Sequence, residues 1–419
     1  MPKTYKEITH CRICGNKHLE TVIHLGYQEL TGVFPKSKDE RISSGPLTLV
    51  KCIGTPPDSC CGLLQLKHSF NDDEMYCQTY GYRSGLNRSM VKHLGELAEE
   101  VKGKVDLSSE DIIVDIGSND ATLLKFFGST GAKLIGVDPG GKKFSKYYSD
   151  RISLIPDFFS SAKVKELLGK KKAKVVTSIA MFYDLDDPLG FMKEVVEILD
   201  DKGIWVFEQS YLSDMLRTNS YDTICHEHKE YYSLSQIKWM TDKVGLSIID
   251  ISRNNTNGGS FRVTVSKKLS ATPGNTNRIE EMLKEEQRLG LNGMSVYRDF
   301  GEKIQDLKKK LTGLIHALNK DGKKILGYGA STKGNVMLQY CGFTSNDIPF
   351  IADVNEDKWG SFTPATHIPI ISEQEAKKLK PDYFLVMPWH FRHFILEKEK
   401  EFSNAGGKFI FPFPEVEVI

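Results

Sequence analysis

From residue 111 onward the chain alternates short apolar runs with amphipathic stretches. Asp111–Ile116, Lys133–Val137, Ile152–Ile155, Lys174–Ile179 and Gly203–Glu208 are apolar runs of strand length. Between them, Ala121–Phe127, Ser161–Leu168 and Leu189–Leu199 carry helical spacing. Strands alternating with helices predict right-handed crossovers and a parallel sheet covered on both faces. The pattern then changes. Leu246–Ile251 and Ser260–Val265 are joined by Asn254-Asn255-Thr256-Asn257-Gly258-Gly259, too short for a crossover, so the last strand is expected to run antiparallel. A helix is expected over Met90–Val101. Residues 275–320 read as one long connecting helix or a helical pair, with apolar positions at Met282, Leu289, Phe300, Ile304, Leu307, Leu311 and Leu314. A second α/β unit follows, with strands expected at Lys324–Gly327, Pro349–Ala352, Asp382–Val386 and Lys408–Phe411. Residues 1–70 show few long periodic runs and several Gly and Pro turns.

Five parallel strands closed by an antiparallel pair is the strand plan of class I methyltransferases, whereas a dehydrogenase fold would continue parallel. Asp115-Ile116-Gly117-Ser118-Asn119-Asp120 closes the first strand and opens the first helix. Gly117 permits the tight turn, and the helix start offers free N–H groups to a cofactor carboxylate. Gly136-Val137-Asp138-Pro139 then ends the second strand with an acid placed to accept from ribose hydroxyls. Asn119 stands where a G-x-G-x-x-G loop would have its second glycine, which disfavours a dinucleotide and favours S-adenosylmethionine. Asp157 and Phe158 after the third strand, and Ala180 after the fourth, fall where adenine and methionine contacts occur in such a fold.

Composition narrows the picture further. A chain of 419 residues calls for two or three domains. Its net charge of +1 gives no basic field for nucleic acid. No apolar run spans a membrane, and Met1-Pro2-Lys3-Thr4-Tyr5-Lys6 does not open a signal peptide, so the expected location is the cytoplasm. Six of the eight cysteines, Cys11, Cys14, Cys52, Cys60, Cys61 and Cys77, lie in the first fifth of the chain. In a reducing compartment that clustering points to metal ligation. Cys11-x-x-Cys14 is a zinc knuckle. Cys52 and Cys61 are expected to complete a structural site, with Cys60 able to substitute for Cys61 and Gly54–Ser59 looping out between them. The expected divisions are a zinc-binding domain over 1–75, a cofactor domain over 76–270 and a second Rossmann-like domain over 271–419.

Cys225-His226-Glu227-His228 follows the fifth strand, on the edge of the sheet where active sites collect. Three readings are open: an H-x-H metal pair, solvated loop groups, or an imidazole acting as general base. Cys11-x-x-Cys14, Thr79-Tyr80-Gly81-Tyr82-Arg83-Ser84-Gly85-Leu86-Asn87, Asp115–Asp120, His226-Glu227-His228-x-x-Tyr231-Tyr232-Ser233 and Gly327-Tyr328-Gly329-Ala330-Ser331-Thr332-Lys333-Gly334-Asn335 occur together and in order. That combination resembles the sugar C-methyltransferase family, which acts on nucleotide-linked 4-keto-6-deoxyhexoses. The resemblance implies an α/β architecture in three parts: an N-terminal zinc domain, a class I methyltransferase domain and a C-terminal Rossmann-like domain. It implies His228 as the base that makes an enolate, with Glu227 and His226 beside it, and Tyr80, Tyr82, Arg83, Asn87 and Lys333 as substrate contacts. The family's motif often has Tyr where Cys225 stands. A nucleotide sugar is the implied partner, and a monomer the expected state. The alternatives are N- or O-methylation of a nucleotide sugar, or a non-enzymatic zinc- and nucleotide-binding module.

Overall fold

The computed structural model describes residues 5–54, 60–76, 82–270 and 274–419. The N-terminal part is built on β1 (Leu19–Glu29), β2 (Ser44–Cys52) and β3 (Leu64–Leu66), paired antiparallel. Two long strands therefore occupy a region whose sequence shows little periodicity. The cause is local: β1 shifts register between Thr21 and Ile23 and again between His24 and Tyr27, with Gly26 at φ 89°. Each irregularity flips the face that the following side chains use, which erases the alternation.

The central part opens with helix α1 (Arg88–Lys104), which covers the expected Met90–Val101. Its sheet comprises β4 (Ile112–Ile116), β5 (Lys133–Val137), β6 (Ile152–Ile155), β7 (Ala173–Ile179) and β8 (Leu199–Ser210). A short helix α2 (Thr122–Phe126) follows β4. Helices α3 (Ser161–Leu168) and α4 (Pro188–Ile198) cross over between strands, and α5 (Leu212–Thr218) follows β8. All five residues of β4 are buried, as befits a strand covered on both faces. Next come β9 (Glu230–Tyr231), helix α6 (Leu234–Val244), β10 (Leu246–Asn254) and β11 (Ser260–Lys267). The sheet order is β10-β11-β8-β7-β4-β5-β6. The expected hairpin is present, and β11 slots between β8 and β10, antiparallel to both.

The two-residue strand β9 does not join this sheet. It pairs with β3, Glu230 opposite Gln65 and Tyr231 opposite Leu64, and so completes the N-terminal sheet.

Helices α7 (Thr276–Arg288) and α8 (Ser295–Lys320) form a helical pair. Of the apolar positions expected there, Met282, Phe300, Ile304, Leu307 and Leu311 are buried, Leu314 is partly buried, and Leu289 is exposed. Leu289 is the residue that ends α7, where the helical face no longer meets the core. Glu286 on α7 is also buried, and its carboxylate accepts from Tyr211 Oη at 2.9 Å, Leu234 N at 2.6 Å and Ser235 N at 3.0 Å. It thereby satisfies the first turn of α6 and ties α7 to the central part. Replacing Glu286 by alanine strands two buried donors and one part-buried one, so the expected loss is about 2–4 kcal/mol, read as a lower denaturant midpoint.

The C-terminal sheet contains β12 (Ile325–Tyr328), β13 (Ile351–Asp353), β14 (Ile370–Ser372), β15 (Tyr383–Val386), β16 (Lys408–Phe411) and β17 (Glu417–Val418), in the order β14-β13-β12-β15-β16-β17. Helix α9 (Thr332–Cys341) follows β12, its start capped by Ser331 Oγ accepting from Gly334 N at 3.0 Å. The four expected strands are here, and β14 and β17 join them. A single hydrophobic core runs from Ile23, Leu47 and Leu64 through Met215 and Ile304 to Ile325 and Leu385. The N-terminal sheet, α5, α8 and the C-terminal sheet thus share one interior. No helix among the described residues is long and apolar enough to cross a membrane.

Candidate active site and metal centre

Cys11, Cys14, Cys52 and Cys61 bring their sulfurs within 4.8 Å of one another. Cys11 Sγ lies 3.5 Å from Cys61 Sγ, and Cys14 Sγ 3.5 Å from Cys52 Sγ. Sulfurs about 2.3 Å from a tetrahedral zinc stand about 3.8 Å apart, so the four fit one ion and leave no position open to substrate. Cys60 turns away, its Sγ 3.8 Å from the Gly54 carbonyl. Residues 55–59 of the intervening loop, and Tyr80, lie outside the described residues. Lys51 is buried beside the cluster, its Nζ donating to the Gly62 carbonyl at 2.5 Å and sitting 4.7 Å from the Tyr297 ring centroid. A cation there offsets the negative charge of four thiolates.

The carboxyl ends of β4, β5 and β7 form the second centre. Gly117 has φ 78°, and a Cβ on it would come 3.0 Å from Met181 Cγ, so the turn depends on glycine. Ala180 is exposed and also left-handed, at φ 54°. Asp138 Oδ2 accepts from Asn119 N at 2.8 Å and its Oδ1 from Gly140 N at 2.7 Å, which fixes the carboxylate across the loop beside Pro139. Burial pushes the Asp138 carboxyl above its ordinary range, and pushes that of Asp115 up to about 7, even though Thr177 Oγ1 donates to Asp115 at 2.7 Å. Ser118 Oγ and Tyr148 Oη are 2.7 Å apart. Asp157 is exposed, holding Lys163 at 2.6 Å, with Phe158 exposed next to it. A glycine turn, an acid across it and an open strand end suit the methionine and ribose portions of a nucleoside cofactor.

Tyr82 and Arg83 lie against this loop, Asn119 Nδ2 donating to the Tyr82 carbonyl at 3.2 Å. Ser84 N donates to Asn119 Oδ1 at 3.0 Å and Gly85 N to Asp120 Oδ2 at 3.0 Å. Arg83 Nε is 3.8 Å from Asp120 Oδ2, and its guanidinium rests on the Tyr147 ring and donates to the Tyr147 hydroxyl. Asn87 caps α1, its Oδ1 accepting from Ser89 N at 2.9 Å. These contacts tie the segment to the cofactor loop.

The two histidines of the Cys225–His228 segment point into different surroundings. His226 is fully buried in the N-terminal part, its ring edge-on to Phe70 at 4.5 Å, and burial pushes it down to about 3. His228 instead packs on the Tyr183 ring at 4.4 Å. Its Nδ1 lies 2.9 Å from the Thr223 carbonyl oxygen. A carbonyl only accepts, so Nδ1 carries the proton and Nε2 carries the lone pair. Burial, and then the charge of Lys333, push His228 down to about 3, which keeps it neutral. The H-x-H metal reading is therefore not supported, and the group of possible metal ligands among the described residues is the cysteine one. Glu227 is buried, raised by that burial, with Oε2 3.5 Å from Thr31 Oγ1. A Cβ on Gly32 would come 2.3 Å from Glu227 Oε1, so the carboxyl sits against bare backbone. Cys225 is buried, its thiol raised well above the ordinary value by burial.

Lys333 enters this site from the C-terminal sheet. Its Nζ donates to the Asn257 carbonyl at 2.9 Å, in the loop between β10 and β11. Trp389 Nε1 donates to Asp222 Oδ2 at 2.9 Å, bridging the same two parts. The carboxyl ends of the two parallel sheets therefore meet at one cleft. Several residues here were not singled out from the sequence. Asp222 sits in the polar stretch Asn219-Ser220-Tyr221-Asp222-Thr223 and Tyr183 follows Met181-Phe182, neither marked by a motif. Trp389 and His390 lie 161 or more residues beyond His228 in a stretch without a motif. Gln209 next to Glu208 is buried, and neither amide atom finds a hydrogen-bond partner among the described residues.

Three family models match the chain consecutively: "Putative zinc binding domain" over residues 11–76, "Methyltransferase domain" over 82–251 and "C-methyltransferase C-terminal domain" over 255–414. The curated C-methyltransferase NovU of Streptomyces niveus is 30% identical over the whole chain and 99% of its own length. Among solved structures, an S-adenosylmethionine-dependent methyltransferase of Clostridium acetobutylicum aligns over 42% of this chain and 92% of its own, at 13% identity and TM-score 0.34. The CcbJ methyltransferase of Streptomyces caelestis aligns over 42% and 89%, at 11% identity and TM-score 0.33. With all three models in order and NovU matched end to end, the chain belongs to the C-methyltransferase family, as an S-adenosylmethionine-dependent enzyme with a zinc-binding N-terminal domain.

Proposed function

We propose that the enzyme methylates a carbon next to the ketone of a nucleotide-linked 4-keto-6-deoxy sugar, with His228 as the general base. The observation that carries this reading is the 2.9 Å approach of His228 Nδ1 to the Thr223 carbonyl: Nδ1 keeps its proton there, and Nε2, with no hydrogen-bond partner among the described residues, is left to accept one. Methylating carbon requires a carbon nucleophile. A base that removes the proton alpha to the ketone provides one, whereas N- or O-methylation needs no enolate. S-adenosylmethionine supplies an electrophilic methyl group. Asp138 holds the ribose hydroxyls, and Gly117, Ser118 and Asn119 face the methionine portion. Asp115, Pro139, Asp157, Phe158 and Ala180 border the same crevice. Glu227 and the buried His226 fix the backbone that carries the base, and Tyr82, Arg83, Asn87 and Lys333 border the substrate side. The work is divided among residues 1–75, 76–270 and 271–419.

The test is incubation of the enzyme and cofactor with a panel of keto-sugar nucleotides, read by mass spectrometry and carbon NMR. A gain of one methyl group on carbon is expected; a methyl group on oxygen or nitrogen overturns the reading. Replacing Asp138 by asparagine should weaken cofactor binding by about 10–100-fold in titration calorimetry, the loss of a charge-assisted hydrogen bond pair. Because burial raises the Asp138 carboxyl, cofactor affinity should begin to fall, as pH is lowered, above the ordinary aspartate range.

A further inference from the structure

We propose that Lys333, contributed by the C-terminal domain, is the cation that stabilises the enolate oxygen while His228 removes the neighbouring proton. The inference rests on the carbon-acid reading above and adds a catalytic residue to it.

Charge balance comes first. When His228 Nε2 takes the alpha proton, the C–H electron pair becomes the carbon–carbon double bond. The carbonyl π pair moves onto oxygen, and the negative charge ends there. An imidazole held down near 3 is a weak base, and it can take a proton from carbon only where that oxygen meets a preorganised donor. Lys333 meets the requirement by donating a hydrogen bond and supplying a positive charge; no proton leaves it.

The surroundings single out this cation. Lys229, adjacent in sequence to the base, is fully buried in an ion pair with Asp72 at 2.7 Å and Asp186 at 2.9 Å. Arg12 is committed to Glu230, Asp186 and the Leu66 carbonyl. Among the described residues Lys333 has a single hydrogen bond, to the Asn257 carbonyl, so two of its three N–H groups remain for a ligand. Its charge bears on His228, His390, Asp222 and Cys225 alike, so the ammonium is a neighbour of all four. Asp222 opposes the effect of burial on Lys333 and is itself fixed by the Trp389 indole. Of the other donors near the base, the Cys225 thiol has a weak S–H and the Thr223 hydroxyl lies on the Nδ1 side of the ring, 3.2 Å from that atom. His390 Nδ1 is buried in the same field with no hydrogen-bond partner among the described residues, a polar atom left for a ligand.

The experiment follows deuterium exchange alpha to the ketone, without cofactor, using the 4-keto sugar nucleotide that gains a methyl group in the panel above. Lys333→Met should slow exchange at saturating substrate by about 10²–10³-fold, the cost of losing one oxyanion donor. Lys333→Arg should recover part of it. Nucleoside diphosphate affinity, measured by calorimetry with the product's own diphosphate, should stay within threefold, and the thermal midpoint should match wild type. If Lys333→Met instead loses diphosphate affinity and exchanges normally at saturation, the lysine is a phosphate contact and the inference falls alone. If wild-type enzyme transfers methyl groups but catalyses no exchange, the carbon-acid reading falls first and takes the inference with it.

Discussion

Replacing His228 by alanine should reduce methyl transfer by about 10²–10⁴-fold, the range for removing a positioned general base, while cofactor affinity stays within about twofold. The ring touches Tyr183 and the Thr223 carbonyl, whereas the cofactor loop is built from Gly117, Asn119 and Asp138. Titration calorimetry and turnover therefore separate the two sites. Unchanged turnover would remove the enolate from the mechanism. The pH profile gives a second check. Burial and Lys333 hold His228 down to about 3, so the base is already in its active, neutral form at pH 5. The rate should show no acid limb near 6.5 from this residue; a limb there would place its protonation in an ordinary, open environment.

Replacing Cys14 by serine should cost the protein its zinc and the fold of its first 76 residues. In small zinc modules the metal contributes about 10–16 kcal/mol at neutral pH, as much as the entire stability of an average domain, about 5–15 kcal/mol. Elemental analysis should find one zinc per wild-type chain and well below one in the variant. Limited proteolysis should cut first within β1 or β2. A fully zinc-loaded, protease-resistant variant would mean that the cluster does not hold the domain together.

The sequence made the central fold readable where one physical rule acted alone. Runs such as Ile112–Ile116 are buried on both faces and leave a continuous apolar signature. Gly117 and Asp138 stood out because turn geometry and hydrogen bonding leave little choice of residue there. The cysteine quartet was legible too, down to Cys61, because a knuckle needs exact partners. Legibility failed where two rules competed. In β1 the register shifts around Val22 and Gly26 cancelled the alternation. Strands β14 and β17 are three and two residues long, too short for any period to show. The site itself was half visible. His228 stood out as a residue type, but its tautomer is set by Thr223, whose carbonyl is silent in sequence. Asp222, Trp389 and His390 become neighbours only through the packing of two sheets.

The short strand at Glu230–Tyr231 makes the zinc module inseparable from the chemistry. Two residues beyond His228, the proposed base, the chain is stitched into a sheet that belongs to a segment some 165 positions earlier. Trimming the N-terminal sheet would leave Glu230 and Tyr231 without a partner strand and let the backbone that carries His228 drift. The metal thus works as a remote clamp on an imidazole it never touches. Slow zinc loss during storage should appear as fading activity well before the bulk of the molecule unfolds.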